Sequence, residues 1–332
     1  MPPRPYPGWS WSPSRHQLFQ ECRRKYYYHY YASHNGWYAE ATPFARQAYR
    51  LKQMTNLYLV FGDAVHKMAE EAVKLYYNYG RVMDTDEIVR RVRALLNQAY
   101  KDSRDIEAWK QQPKQRMMLQ EMYYVGGLSD SVTETIKRRI PILADRLIGS
   151  ESMQHYMHAD GCHLVELEQL NTIDLGDTMI YVKLDFMYRQ AGRYIIVDWK
   201  TGQEDERNDT QLRLYGWYVH ENYGVPYEQI DIRTEYLLSG QCKVDEVTED
   251  EMEHLVAYVE ASIAEMRSYL DDPALNAPKA MEAFEVTDDE RKCRRCAFRE
   301  MCEGAKPRYV EDDEEFVDQG GQGERHYGYD AS

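Results

Sequence analysis

Asp198-Trp199-Lys200-Thr201-Gly202 sets a carboxylate and an ammonium two positions apart, so on a strand both side chains point to one face. Asp185 lies on the strand before it, and the short turn at Ala191-Gly192 lets the two carboxylates approach across a sheet. Two acids and a lysine converging at a strand end suit phosphodiester hydrolysis. Carboxylates hold hard divalent cations through oxygen. Such cations activate water and neutralise developing phosphoryl charge, and a lysine orients the water or stabilises that charge. His66 adds an imidazole from an earlier helix, and mixed carboxylate and imidazole ligation suits Mn²⁺ as well as Mg²⁺. Gln211 and Tyr215 stand four apart on the following helix and share a face that can hold a phosphate or brace Lys200.

The six cysteines are a separate source of chemistry. Cys293, Cys296 and Cys302 cluster near the C-terminus and Cys22 lies near the N-terminus, so three close thiolates and one remote thiolate can complete a four-cysteine site. Thiolate ligands suit an iron–sulfur cluster or zinc. A zinc ribbon ordinarily pairs two knuckles, and a second knuckle is missing here. Cys162 and Cys242 fall outside the pattern and read as structural thiols. A four-cysteine site would join residue 22 to residues 293–302 as a structural staple.

These residues need elements to position them. Residues 1–10 read as an irregular arm. Ser12-Pro13-Ser14 opens a helix whose apolar face begins at Leu18 and Phe19. Apolar residues at three- and four-residue spacings predict a helix over Leu57–Tyr79, with Gly62 and His66 one turn apart. Residues 84–150 read as further helices without a motif. The character changes at Gly161: residues 164–173, 179–188 and 194–199 predict three strands in an antiparallel meander. A helix over Asp209–Tyr223, a strand at 230–238 and a long helix over 250–270 follow.

Composition bounds the rest. With 332 residues and 43% hydrophobic, the chain can bury a sizeable core. No stretch approaches the roughly 20 apolar residues of a membrane span, and the Pro-rich start carries no apolar signal region, so a cytoplasmic protein without membrane contact is expected. The net charge of −15 hides an uneven spread. Residues 1–60 carry eight Lys and Arg against Glu21 and Glu40, a net of +6, while residues 309–332 carry eight acids against Arg325, a net of −7. That acidic segment is expected to be a disordered tail. Trp9, Trp11, Phe19 and the tyrosines from Tyr26 to Tyr31 interleave with Arg15, Arg23, Arg24 and Lys25. This mixture reads either as a stacking and phosphate-binding surface for single strands or as aromatics packed into the core.

A single Asp-X-Lys is ordinarily a salt bridge at a strand end; the weight comes from four pieces in order. Gly62-Asp63-Ala64-Val65-His66, then Leu184-Asp185, then Val197-Asp198-Trp199-Lys200-Thr201-Gly202, then Gln211-Leu212-Arg213-Leu214-Tyr215 resemble the RecB-like branch of the PD-(D/E)XK nucleases. Leu184 stands where the superfamily name has proline, a position that varies within the family. The resemblance implies metal ligation by His66, Asp185 and Asp198, catalysis by Lys200, and positioning of DNA or lysine by Gln211 and Tyr215. The remote-plus-three cysteine pattern is similar to that of iron–sulfur RecB-like nucleases, including the AddB nuclease domain and CRISPR-associated exonucleases, and this likeness favours a [4Fe–4S] cluster on Cys22, Cys293, Cys296 and Cys302 over zinc.

The fold implied is α/β, a restriction-endonuclease-like core with a mixed central sheet flanked by helices, a helical insertion and the iron–sulfur staple. Residues 1–308 would form one nuclease domain: a cluster and DNA-binding segment at 9–35, the insertion at 80–155, the catalytic core at 160–240 and the cysteine cluster at 290–303. The activity implied is metal-dependent hydrolysis of DNA, exonucleolytic on single-stranded or frayed ends, in recombination, repair or defence. Alternatives are end trimming for CRISPR spacer acquisition and a non-catalytic iron–sulfur DNA-binding subunit. No Gly-x4-Gly-Lys-Ser/Thr loop occurs, so unwinding would come from a helicase partner; a recombinase or integrase are the other partners expected.

Overall fold

Ser12 opens the first helix as its place before Pro13 predicts: its hydroxyl accepts from the Arg15 amide, and α1 runs Pro13–Glu21. The protein is described by a computed structural model covering residues 4–203 and 209–303; the acidic segment 309–332 lies outside the described residues. The tyrosine run forms α2 (Arg23–Tyr27) and one π turn, Tyr28–Ala32. A further helix, α3 (Pro43–Lys52), precedes α4 (Leu57–Tyr79). Asn56 caps α4 by accepting from the Leu59 amide, and Gly80 ends it in the left-handed region at φ 62°. Then come α5 (Thr85–Ser103), α6 (Ile106–Gln111), α7 (Gln120–Tyr124), α8 (Asp130–Gly149) and α9 (Glu151–His158).

The strand region departs from the expected meander in one instructive way. The strand expected over 164–173 is two, β1 (His163–Leu167) and β2 (Leu170–Leu175), and the one over 179–188 is also two, β3 (Thr178–Lys183) and β4 (Phe186–Gln190). The first break holds Glu168 at φ 53°, a left-handed conformation that a pleated strand cannot continue through. The second break holds Asp185, whose carbonyl accepts from the Glu168 amide at 3.0 Å. The two breaks therefore lie side by side, and β2 and β3 leave the sheet as a hairpin of their own. The chain continues through β5 (Arg193–Lys200), α10 (Asp209–Tyr223), β6 (Ile230–Tyr236) and β7 (Gln241–Glu246). β7 is an edge strand of mostly polar, half-exposed residues, so it lacks the apolar alternation that announces a strand. Last are α11 (Glu249–Arg267), a small pair β8 (Leu270–Asp272) and β9 (Ala277–Pro278), and α12 (Glu290–Arg294).

The main sheet has the order β1-β4-β5-β6-β7, antiparallel except for the parallel pair β5 and β6, which α10 connects. Alternation along β5 divides its side chains. Ile195, Val197 and Trp199 join Phe186 and Tyr188 in a core shared with α4, α5, α8 and α9. Ile196 joins Met187, Ile230 and Ile232 in a core shared with α1, α10, α11 and the hairpin. The result is the expected α/β architecture, a mixed sheet with helices on both faces. Asp198 and Lys200 follow Ile196 in alternation and so belong to the α10 face.

The N-terminal aromatics resolve into packing. Trp11, Phe19, Tyr26, Tyr28 and Tyr31 are buried. Arg15 is only 2% exposed, donates to the Tyr26 hydroxyl and lies 4.2 Å from the Tyr30 ring centroid. No base reaches rings so enclosed, so of the two readings of residues 9–31 it is core packing that describes these residues. Tyr28 stacks on Phe298 with ring centroids 5.6 Å apart, which ties the start of the described chain to its end. Among the described residues no helix is long and apolar enough to cross a membrane.

Candidate active site

His66 projects from α4 toward the paired strand breaks. Its Nδ1 lies 3.2 Å from Asp185 Oδ2 and 3.7 Å from Glu168 Oε1. Ligand atoms of His66, Glu168 and Asp185 all fall within 4.8 Å of one another, a spacing one cation can span. Asp185 is fixed from behind, because its Oδ2 also accepts from the Trp199 amide at 3.0 Å. The break at residues 184–185 thus turns this carboxylate onto β5.

Asp198 and Lys200 stand beside this group as a buried ion pair, Nζ to Oδ2 at 2.7 Å. The face of α10 completes a ring around them. Lys200 Nζ donates to Gln211 Oε1 at 3.1 Å, Gln211 Nε2 donates to the Tyr215 hydroxyl at 2.5 Å, and that hydroxyl donates to Asp198 Oδ1 at 3.4 Å. The i, i+4 spacing of Gln211 and Tyr215 makes the ring possible. The structure therefore brings His66 and Asp185 together and, adjacent to them, Asp198, Lys200, Gln211 and Tyr215. Asp198 is not in the converging ligand group; its carboxylate faces Lys200 and Tyr215 instead.

Two residues here went unread in the sequence. Glu168 supplies the third converging ligand, and Lys183 pairs with it, Nζ to Oε2 at 2.5 Å. Glu166 and Glu168 alternate in one expected strand and look equivalent there. Glu166 is in fact a buried acceptor for Tyr218 at 2.5 Å, for Asn171 at 2.8 Å and for Tyr223. Only the positive φ of Glu168 sends its side chain elsewhere, and the sequence offers no signal for a left-handed glutamate.

Charge in the site is unevenly balanced. Burial opposes a charged His66, but Asp185 and Glu168 beside it hold its pKa well above the usual imidazole value. Burial also works against the Asp185 carboxylate, yet His66, Lys200 and the Trp199 amide pull its pKa below the usual range. Asp198 moves the other way: burial, helped by the nearby Asp185 charge, outweighs Lys200 and raises it.

A divalent cation fits these residues on two observations. Glu168 Oε1 and Asp198 Oδ2 are buried without an aligned hydrogen-bond donor among the described residues, the latter despite the proximity of Lys200. One imidazole nitrogen with carboxylate oxygens is the donor set that Mg²⁺ and Mn²⁺ accept.

Cys22, Cys293, Cys296 and Cys302 line another pocket together with Lys25, Lys292 and Arg299. Cys22 sits between α1 and α2, where its Sγ accepts from the Lys25 amide at 3.4 Å. Cys296 Sγ accepts from the Phe298 amide at 3.4 Å, and burial pushes its thiol up to about 11 in spite of Lys25. Cys162 and Cys242 lie outside this pocket. The Cys162 thiol is 3.7 Å from the His155 carbonyl, and burial beside Glu235 drives the Cys242 thiol well above its usual range.

The sequence matches the family described as the PD-(D/E)XK nuclease superfamily over residues 10–303. No curated protein matches it. Among solved structures, a chain described as "Crystal structure of SSO0001" is 18% identical, with 56% of this chain and 79% of that chain covered at a TM-score of 0.26.

Proposed function

The chain belongs to the PD-(D/E)XK nuclease superfamily, and we propose that within it the protein is a RecB-like DNA exonuclease acting on single-stranded or frayed ends. Metal-dependent phosphodiester hydrolysis follows from the family. The observation that carries the reading to these residues is the convergence of His66, Glu168 and Asp185 beside the Asp198–Lys200 pair.

In this reading His66, Glu168 and Asp185 hold a divalent cation, and Asp198, which stands beside that group, is a further ligand through the Oδ2 that lacks an aligned donor. Bound there, it supplies Lewis acidity to the scissile phosphate and to the attacking water. Lys200 orients that water or faces the charge developing on the phosphoryl oxygens. Gln211 keeps the ammonium in place through Oε1, and Tyr215 holds Asp198 from its other oxygen. His66 must be neutral to ligate, so its proton leaves as the cation arrives.

The RecB-like assignment includes a [4Fe–4S] cluster on Cys22, Cys293, Cys296 and Cys302. Four thiols in one pocket with Lys25, Lys292 and Arg299 support it, since cations offset the negative charge of a thiolate-ligated cluster. Bound there, the cluster supplies a tie between residue 22 and residues 293–302, closing one nuclease domain over residues 1–308 with 80–155 inserted before the core.

Digestion of end-labelled single- and double-stranded DNA with Mn²⁺, with Mg²⁺ and with chelator tests the reading. Stepwise shortening of single strands that needs a divalent cation is expected. Internal cuts only, or no cleavage with either ion, would overturn it.

A further inference from the structure

We propose that Lys183 is a second cationic arm of the site: it holds Glu168 while no metal is bound, and it takes a backbone phosphate of the DNA once metal claims that carboxylate. This rests on the nuclease reading above.

The placement comes from the backbone. Lys183 is the last residue of β3, paired with Leu170 at the start of β2, so it stands where the hairpin leaves the main sheet. Glu168 is two residues before Leu170 and is pinned by its amide to the Asp185 carbonyl. The ammonium therefore meets Glu168 Oε2 at 2.5 Å, while Glu168 Oε1 turns toward His66. The Glu168 side chain is 11% exposed and that of Lys183 is 29% exposed. The pair thus runs from the buried ligand group outward, with the cation at the rim.

Charge bookkeeping gives that rim cation its task. Glu168, Asp185 and Asp198 face Lys183 and Lys200, and His66 is neutral as a ligand. With a bound dication these groups sum to one positive charge, and without Lys183 the sum would be zero. Glu168 cannot serve both cations fully, so metal binding weakens its hold on Lys183. An ammonium on a flexible stem can then turn to an anion at the same rim. Lys200 differs: it is buried and held by Asp198 and Gln211, which suits the reacting phosphate.

Two readouts separate this role from a structural one. Mn²⁺ affinity is measured by calorimetry without DNA. DNA affinity is measured by fluorescence anisotropy of a labelled single strand, with Ca²⁺ in place of the active ion and across a salt series. Lys183→Ala should bind Mn²⁺ about two- to five-fold more tightly, the scale of one partly exposed ion pair. The same variant should bind DNA more weakly, with a salt dependence shallower by about 0.7 in the log–log slope, the value of one lost phosphate contact. Lys183→Arg should keep the slope. Should Lys183→Ala destabilise the hairpin, Lys183→Gln keeps the stem and gives the same readouts. An unchanged slope, or Mn²⁺ binding weakened in a folded variant, would overturn the proposal. Because neither readout needs turnover, failure of the nuclease reading is seen separately, as wild-type protein that does not cut DNA with Mn²⁺.

Discussion

The carboxylate site and the cysteine pocket differ in how the chain brings their residues together. Cys293, Cys296 and Cys302 are near neighbours in sequence, and a single helical turn with its following loop presents them. His66, Glu168, Asp185, Asp198 and Gln211 come from α4, two strand breaks, β5 and α10, so their meeting depends on the whole sheet. A pocket of short spacing can be read as a motif and needs only one remote partner. A site of long spacing is only as precise as the core beneath it. Asp185, Asp198 and Lys200 are buried, His66 and Glu168 are partly so, and each is held by a named neighbour.

This contrast is sharpest at Lys200. Lys200→Ala leaves His66, Glu168 and Asp185 in place, so metal and DNA should still bind while cleavage falls by roughly 10²–10³, the usual loss for one positioned charge. Without metal the melting temperature should fall, because Asp198 is left buried without its cation. Single-turnover cleavage at saturating Mn²⁺, beside a binding titration, checks this. Wild-type rates from Lys200→Ala would place the chemistry elsewhere.

The cysteine pocket should answer the opposite way in cleavage. Cys22→Ala removes the one thiol that comes from the N-terminal segment, so protein prepared without oxygen should lose its iron and its brown colour and melt at a lower temperature. Below that temperature its cleavage rate per folded molecule should stay within a few-fold of wild type. Iron analysis, absorbance and thermal melts decide it; stoichiometric zinc without iron in the wild type would refute the cluster.

What was readable in the sequence follows the same division. The shared face of Asp198 and Lys200 follows from alternation, and that of Gln211 and Tyr215 from helical spacing; both are local rules, and the geometry obeys them. The breaks at Glu168 and Asp185 were not readable, because the apolar pattern runs through both and predicts unbroken strands. A left-handed backbone at glutamate is a tertiary outcome, stabilised here by the Asp185 carbonyl and by Lys183. The tyrosine run was ambiguous for a related reason. Rings beside cations suit nucleic acid and a packed core equally, and only burial distinguishes them. Exposed aromatics occur further on instead, at Trp37, Tyr38 and Phe44.

Glu168 itself offers a smaller test. Glu168→Gln keeps the size and removes the charge, so Mn²⁺ should bind about ten-fold more weakly, within the range seen when one partner at a metal site is lost. Excess Mn²⁺ should restore most of the cleavage, because Lys200 and Asp198 are untouched. Rates that stay low at every Mn²⁺ concentration would mean Glu168 does more than ligate.

The smallest effect is expected at Tyr215, and it asks whether the ring on α10 works as one unit. Tyr215→Phe keeps the buried aromatic ring and removes only the hydroxyl that donates to Asp198 and accepts from Gln211. The bond to the Asp198 carboxylate is long, 3.4 Å, so it contributes about 1 kcal/mol and cleavage should slow by roughly five-fold. Without that donor the Asp198 carboxylate, already pushed up by burial, is held less well in its ionised form. Gln211→Ala should cost a similar factor by releasing Lys200 Nζ. If the four side chains form one closed ring, the double variant should be little worse than either single one, since breaking the ring at any point frees the same lysine and aspartate. Single-turnover rates for the two single variants and the double variant give the coupling directly. Losses that multiply would show that Gln211 and Tyr215 act separately, one on Lys200 and the other on Asp198.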